Sequence, residues 1–308
     1  MKNTIRIGTR GSELALTQTK QVLAALRQAQ PNVECEIRTI KTTGDRSQDR
    51  PIAELGATGV FTKEIEAALL ANEIDIAIHS AKDLASTLPQ GLIIGAVPQR
   101  LSPLDALISR DGKKLAAMKP GAIIGTGSPR RRAQALLMRP DIFVAPLRGN
   151  IDTRIKKVED GEVDCAIIAL AALERMGWAE RAAEIFDADT ILPAPGQGAL
   201  AIQAREGDKN ILKIIQAINH IDSFNCVRAE RALLRELGAG CRTPIGGLAI
   251  VKGNRLTLKA EVLDVDGKSK CAVLCECGEE QPEQAGVLAA EKLLQQGAGE
   301  MIRRAQHK

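Results

Sequence analysis

Ile74-Asp-Ile-Ala-Ile-His-Ser-Ala-Lys-Asp83 decides the fold. Ile74 to Ile78 reads as a β-strand, and a helical stretch at 61–71 runs into it. His79-Ser-Ala-Lys-Asp83 follows directly, so polar residues stand at the carboxyl end of a sheet, where open α/β folds bind ligands. Upstream, Ile5 to Thr9 reads as a short buried strand. Residues 13–29 read as an amphipathic helix with Leu16, Val22, Leu23 and Leu26 toward one side, and Val33 to Ile40 as a second strand. Downstream, the apolar run at 92–97 adds another. Strand and helix alternate, which predicts an α/β domain with a largely parallel sheet. Residues 42–59 interrupt the alternation with a polar, glycine-punctuated stretch, a length that marks a functional or mobile loop.

The pattern then repeats. Strands are expected near 106–109, 122–126, 142–145 and 164–169, with helices at 129–138, 151–159 and 171–176. Pro193-Ala-Pro-Gly-Gln-Gly198 reads as a crossing back, after which 199–206 adds a strand to the first sheet. From about 222 the order changes to helix 222–236, three strand-like runs (246–252, 255–264, 269–278) and helix 282–296. The expected domains are 1–99 with 199–217, then 104–194, then a small α+β domain at 221–308.

Composition narrows the function classes. The chain has 308 residues, 44% hydrophobic and 26% charged, as in soluble globular proteins. Aromatic residues make up 2%, with no Tyr, which argues against stacking nucleic-acid bases on aromatic platforms. A net charge of +4 is too small for a general polyanion binder. Seven cysteines without a compact framework point to a reducing compartment. The start of the chain has no signal-peptide core, and no apolar run reaches membrane-spanning length, so a cytoplasmic location is expected.

Two clusters offer chemistry. Asp83, beside Lys82 at a strand exit, reads as an acid, a base or a cation stabiliser, or more simply as a helix cap. Gly125-Thr-Gly-Ser-Pro-Arg-Arg-Arg132 places Ser128 as an N-cap and Pro129 as the first helical residue, and the helix N-terminus with Arg130 and Arg131 favours an anion. Leu147-Arg-Gly-Asn-Ile-Asp-Thr-Arg154, Arg10 with Ser12, and Arg175 repeat the arrangement at other strand ends. Arginines gathered at strand ends imply a ligand with several carboxylates or phosphates. Gly125-Thr-Gly-Ser-Pro-Arg130 is no dinucleotide fingerprint, because Arg stands where the third glycine belongs.

Cys241 lies in Leu237-Gly-Ala-Gly-Cys-Arg-Thr-Pro-Ile-Gly246, where Gly238 and Gly240 permit positive φ and close approach. Its thiol reads as a nucleophile or an attachment point. Cys271, Cys275 and Cys277 share one strand face and read as small buried hydrophobes, since a fourth zinc ligand is missing. His79 is either a partner of Asp83 or a packed strand-end residue. His220 and His307 show no obvious partner.

Taken together, Ile7-Gly-Thr-Arg-Gly-Ser12, Thr42-Thr-Gly-Asp45, Phe61-Thr-Lys-Glu64, Ala77-Ile-His-Ser-Ala-Lys-Asp83, Gly125-Thr-Gly-Ser128 with Arg130-Arg131, Leu147-Arg-Gly-Asn150, Pro195-Gly-Gln-Gly198 and Gly240-Cys241 resemble the hydroxymethylbilane synthase (porphobilinogen deaminase) family along the whole chain. The resemblance implies two type II periplasmic-binding-protein-like domains with mixed, mostly parallel sheets, plus a small C-terminal α+β domain. It implies condensation of four porphobilinogen molecules, each losing ammonia, on a dipyrromethane cofactor held by a thioether to Cys241. Asp83 matches the family's catalytic aspartate. Ser80, Lys82, Asp83, Thr126, Ser128, Arg130, Arg131, Arg148 and Gly149 are implied at the cofactor, and Arg10, Ser12, Arg148, Arg154, Arg175 and Gln197 at substrate carboxylates. The family suggests a monomer acting on the small molecule porphobilinogen, and the residues themselves give no reason to expect nucleic acid, membrane or metal. Glu54 and Thr58 stand where many members carry lysines, Gly127 replaces a frequent serine, and Leu84-Ala85 replaces a common Val-Pro pair. The competing class is a non-catalytic cytoplasmic anion-binding protein of periplasmic-binding-protein fold.

Overall fold

The computed structural model describes residues 4–46, 59–238, 240 and 242–307. Glu54, Thr58 and Cys241 lie outside the described residues, as does most of the 42–59 loop. The chain divides into two compact units, residues 1–101 with 199–225, and 102–198 with 226–308. In chain order the first unit contributes β1 (Thr4–Thr9), α1 (Glu13–Ala29), β2 (Glu34–Thr39), the short α2 (Thr43–Arg46), α3 (Lys63–Leu70), β3 (Ile76–Ser80) and β4 (Leu92–Ala96). The second contributes β5 (Asp105–Ser109), β6 (Ile123–Gly125), α4 (Pro129–Met138), β7 (Phe143–Ala145), α5 (Ile151–Glu159), β8 (Cys165–Ala169), α6 (Leu170–Met176) and β9 (Glu184–Ile185). The chain returns to the first unit with β10 (Leu200–Arg205) and α7 (Lys209–Gln216). It ends with α8 (Ile221–Glu236), β11 (Ile245–Lys252), β12 (Arg255–Leu263), β13 (Lys270–Gly278), α9 (Pro282–Gln295) and α10 (Ala298–His307).

The first sheet has the order β2-β1-β3-β10-β4 and the second β7-β6-β8-β5-β9. In the first, β1 pairs parallel with β2 and β3, and β10 runs against both β3 and β4. In the second, β6 pairs parallel with β7 and β8, while β5 runs against β8 and β9. One strand is therefore reversed in each, at the same place in the order, and the sheets are mixed and mostly parallel as the resemblance implies. The return strand expected near 199 is β10.

Aliphatic residues on the strands account for the layers. Ile5, Ile7, Ile76, Ile78 and Ile202 pack with Val22 and Leu26 of α1 and with α7, whereas Ala77 faces the other way, toward Ile65 and Leu69 of α3. The third sheet, β11-β12-β13, is an antiparallel meander whose buried face packs on α8, α9 and α10. Cys271 and Cys275 are buried in that core, with Cys277 packed against it.

Three local differences from the sequence reading have physical causes. β3 runs two residues further, through His79 and Ser80, because β10 pairs Ala201 with His79 and Leu200 with Ser80. Asp75, at the expected start of that strand, instead accepts from Arg6 Nε at 2.9 Å and Nη2 at 2.8 Å. Residues 43–46 form a helical turn rather than loop: Asp45 accepts from the backbone N and hydroxyl of Thr42, and Glu64 accepts from those of Thr43. The helix expected at 282–296 is present as α9 and stops before Gly297, whose φ of +95° favours glycine, but a further helix that the sequence reading did not contain, α10, follows.

Candidate active site

The first unit carries a pocket lined by Arg10, Ser12, Gln18, Phe61, His79, Ser80 and Asp83, among others. Four of the sequence motifs build it. β1 delivers Arg10 and Ser12, and Ser12 caps α1, accepting from Ala15 N at 3.4 Å. That cap brings the positive end of a 17-residue helix to the pocket, a setting that favours anions. Arg10 donates through Nε at 3.1 Å and Nη2 at 2.5 Å to Asp45, and its guanidinium lies over the Phe61 ring, 4.1 Å from the centroid. Gly44 is required here, because a Cβ would sit 2.2 Å from a Phe61 ring carbon. Burial raises the Asp45 carboxyl, but the hydrogen bonds from Arg10 and Thr42 outweigh it and hold it below its ordinary value.

Ser80 ends β3 and accepts from Gln18 Nε2 at 3.0 Å. Asp83 closes the 3-10 turn that follows, and its side chain is exposed at the pocket rim, with half-buried Lys82 beside it. The turn is pinned by Ala81 N donating to Ala199 O at 3.0 Å, so the strand that returns after Gly198 fixes the place of Asp83. His79 is 5% exposed, and burial, reinforced by Arg10, lowers its pKa to about 4, so the ring is neutral near pH 7.

The second unit holds the arginine cluster around a carboxylate. Asp105 opens β5 and is fully buried. It accepts from Arg130 Nη1 at 2.7 Å, from Arg131 Nη2 at 2.6 Å and Nε at 3.0 Å, and from Gln197 Nε2 at 3.0 Å. Burial alone would raise its pKa, but the two guanidinium groups hold it far below the carboxylate range. Arg130 also donates to Leu192 O at 2.8 Å. Ser128 caps α4 by accepting from Arg131 N at 3.4 Å, Thr126 Oγ1 accepts from Ser128 N at 3.1 Å, and Pro129 is the first helical residue.

Nearby segments supply the remaining candidates. Half-buried Arg148 precedes Gly149, which has φ +102° and would place a Cβ 2.7 Å from Thr153, so only glycine fits the turn. Arg154 Nε donates to Gly149 O at 2.9 Å. Arg175 Nη2 donates to Gly198 O at 2.8 Å, and burial lowers its pKa to about 10, leaving it charged near pH 7. Gly198 ends the Pro195 turn, whose Gly196 N donates to the buried Glu230 of α8; Glu230 also accepts from Ala249 N of β11 at 2.8 Å. The Cys241 loop joins α8 and β11, and Gly238 enters it at φ +57° with open space where a Cβ would stand.

The structure thus groups Arg10, Ser12, Ser80, Lys82 and Asp83 in the first unit, and in the second Arg130, Arg131 and Gln197 around Asp105, with Thr126 and Ser128 at the start of α4. Arg148, Gly149, Arg154 and Arg175 lie at other turns of the second unit. Asp105, Gln18 and Glu230 were missed by sequence reasoning, and Asp45 was read only as part of a motif, without a site role. Gln18 had a readable signal, since it sits one helical turn before Val22 and two before Leu26 on the buried face of α1. Asp105 had a weaker one, an acid opening an apolar strand. His220, which lacked an obvious partner, hydrogen-bonds through Nδ1 to Ser223 Oγ at 3.0 Å. No cluster of three or more metal-ligating side chains occurs among the described residues.

The cluster suits an acidic ligand. Arg130 Nε and Arg175 Nε are buried donors without hydrogen-bond partners. Such orphaned donors fit the carboxylates of a pyrrole pair.

Comparison with known proteins gives the same direction. Residues 5–213 match the family model described as porphobilinogen deaminase, dipyromethane cofactor binding domain, and residues 224–295 match porphobilinogen deaminase, C-terminal domain. Relatives named porphobilinogen deaminase include one from Syntrophomonas wolfei, 44% identical over 98% of this chain and 98% of its own. Another, from Desulforamulus reducens, is 45% identical with the same coverage, and one from Thermus thermophilus is 45% identical over 96% of this chain and 97% of its own. On that similarity, which runs along nearly the whole length, the chain belongs to the porphobilinogen deaminase family.

Proposed function

We propose that this protein is a hydroxymethylbilane synthase, a transferase that joins four porphobilinogen molecules into linear hydroxymethylbilane and releases one ammonia at each joining, in tetrapyrrole biosynthesis. The observation that carries this reading is the first-unit pocket, which places an exposed carboxylate, Asp83, beside Arg10, Ser12 and Ser80 in a chain of this family.

The dipyrromethane group, when bound by a thioether to Cys241, supplies the pyrrole carbon from which the chain is extended. Ser80, Lys82, Thr126, Ser128, Arg130, Arg131, Arg148 and Gly149 would hold its acidic side chains, with the orphaned Arg130 Nε as the donor most in need of an acceptor. Arg10, Ser12, Arg148, Arg154, Arg175 and Gln197 would receive substrate acetate and propionate groups. Asp105 preorganises Arg130 and Arg131, which removes the cost of ordering two long side chains at the moment of binding.

Asp83 does the chemistry of charge. As ammonia leaves porphobilinogen, positive charge grows on the pyrrole nitrogen, and a carboxylate accepting its N–H stabilises that charge as it forms. The same carboxylate can take the proton released from the newly joined carbon. Arginines cannot substitute here, because a cation opposes a nearby developing cation. Their part is register and proximity.

The reading includes three domains, at 1–99 with 199–217, 104–194 and 221–308, and a cytoplasmic monomer that needs neither nucleic acid nor membrane. The weak net charge supports the former, and no helix among the described residues is long and apolar enough to cross a membrane. Incubating purified protein with porphobilinogen tests the function. The expected result is consumption of porphobilinogen with an equal amount of ammonia. Binding of porphobilinogen without consumption would instead favour a non-catalytic anion-binding protein.

A further inference from the structure

His79 is buried, titratable and unused by the mechanism above. It lines the Asp83 pocket, yet its Nε2 is buried without a hydrogen-bond partner. The side chain behind it is Gln203 of β10. The register pairs His79 with Ala201 and Ala77 with Gln203, so His79 and Gln203 are diagonal neighbours on one face of the sheet. Gln203 lies close enough to the ring to favour its protonated form.

The orientation of Gln203 is set from the far side. Its Nε2 donates to Glu66 Oε1 at 3.0 Å, and Glu66 Oε2 accepts from Thr62 Oγ1 at 3.3 Å. A carboxylate only accepts, so the amide nitrogen must face Glu66 and the amide oxygen must face away from it. Gln203 Oε1 is accordingly the second buried atom here without a partner. Two neighbouring orphans, one an acceptor, satisfy one another if the histidine nitrogen is an N–H. The opposite tautomer would bury two acceptors side by side. The hydrogen bond made by one ring nitrogen determines the state of the other, so a proton on Nε2 leaves the lone pair on Nδ1. Nε2 is buried, so Nδ1 is the ring nitrogen available to the pocket that His79 lines.

We infer that His79 is a second hydrogen-bond acceptor in the Asp83 pocket, presenting an unprotonated Nδ1 to a substrate N–H, with Gln203 and Glu66 as positioning residues that fix its tautomer. This rests on the synthase reading and deepens it. Porphobilinogen has two kinds of N–H donor, the pyrrole and its aminomethyl group, and its acetate and propionate have none. The arginines and the α1 N-terminus address the acids, while Asp83 and His79 address the nitrogens. A neutral acceptor suits this place, because it adds no positive charge against a cation forming beside it. Burial and Arg10 keep the ring neutral.

Two measurements on the holoenzyme test the inference. The first is nitrogen NMR of protein with labelled histidine, in which three histidines give few signals and a His79→Asn variant identifies the one of interest. The neutral Nε2–H form is expected at pH 7; a neutral Nδ1–H form or a charged ring would overturn the inference. The second compares His79→Asn with His79→Gln, since the asparagine amide reaches the position of Nδ1 and the glutamine amide that of Nε2. The asparagine variant is expected to keep a kcat at least about tenfold above the glutamine variant, the scale of one hydrogen bond to a charged group. A smaller difference, or the reverse order, would sink it. If both variants fail to fold, Gln203→Leu, outside the pocket, should mix the tautomers and lower kcat with KM unchanged; a single Nε2–H tautomer and normal kcat would overturn the inference. A wild-type protein that leaves porphobilinogen intact would refute the synthase reading itself, whatever the histidine spectrum shows.

Discussion

Asp83 and Asp105 belong to sheets of the same strand order, yet their surroundings are opposite. Asp105 is fully buried, receives two guanidinium groups and the Gln197 amide, and has its charge fixed. Asp83 is exposed at the rim of a pocket, on a short turn held by backbone hydrogen bonds. A carboxylate buried among its partners is scaffolding, since removing it strands buried charges. A carboxylate free to meet a substrate is the one available for reaction. In the proposed function the second unit accordingly holds an acidic group and the first acts on a nitrogen.

The largest expected effect breaks the comparison on the side of chemistry. Asp83→Asn should lower porphobilinogen turnover by more than about 100-fold, the scale of losing one preorganised charge-stabilising group, with an unchanged melting temperature. Retention of a tenth of the wild-type rate would remove Asp83 from the reaction. On the scaffolding side, Asp105→Asn should destabilise the protein by about 3–5 kcal/mol, because Arg130 and Arg131 would be left buried without their counter-charge. Denaturant unfolding measures this, and a loss below about 1 kcal/mol would show the arginines to be solvated.

Acid should separate the two regions. An unfolded histidine takes up a proton below about pH 6.5, whereas His79 does so only near pH 4. Stability is therefore lost as pH falls through that window, by about 3 kcal/mol in all. Asp105 acts in the same direction but in a lower window. Its carboxyl is depressed, so its contribution is full above about pH 4, the unfolded value, and is lost only as pH falls through its much lower folded value. Between pH 6.5 and 4, His79→Leu should flatten the decline in stability, and a slope equal to wild type would contradict this assignment. The smallest effect concerns Phe61→Leu, which removes the ring under Arg10 and costs about 0.5–1 kcal/mol of that contact. It should appear as a few-fold rise in KM with kcat nearly unchanged, and an unaltered KM would show that Arg10 keeps its place without the ring.

What could be read in advance follows the range of the interactions. α4 and α5 fall where they were expected because their signals are local: Ser128-Pro129 starts one, and apolar residues at Ile151, Ile155 and Val158 line one face of the other. The end of β3 was misplaced because its last two residues are strand only by pairing with β10, more than 100 residues later. Asp105 was overlooked for the same reason, since what makes it important arrives from Arg130, Arg131 and Gln197. The motifs at Arg10, Asp45 and Phe61 could be recognised one by one. That they meet in a single stacked contact was not visible from their spacing.

The central claim is that the second unit's arginines hold an acid-bearing primer tethered to this same chain. Intact mass of the purified protein, followed by peptide mapping, tests it most directly. The account predicts an added mass equal to two linked porphobilinogen-derived pyrroles, located on the peptide that contains Cys241. An unmodified chain that also fails to acquire this mass when incubated with porphobilinogen would contradict it.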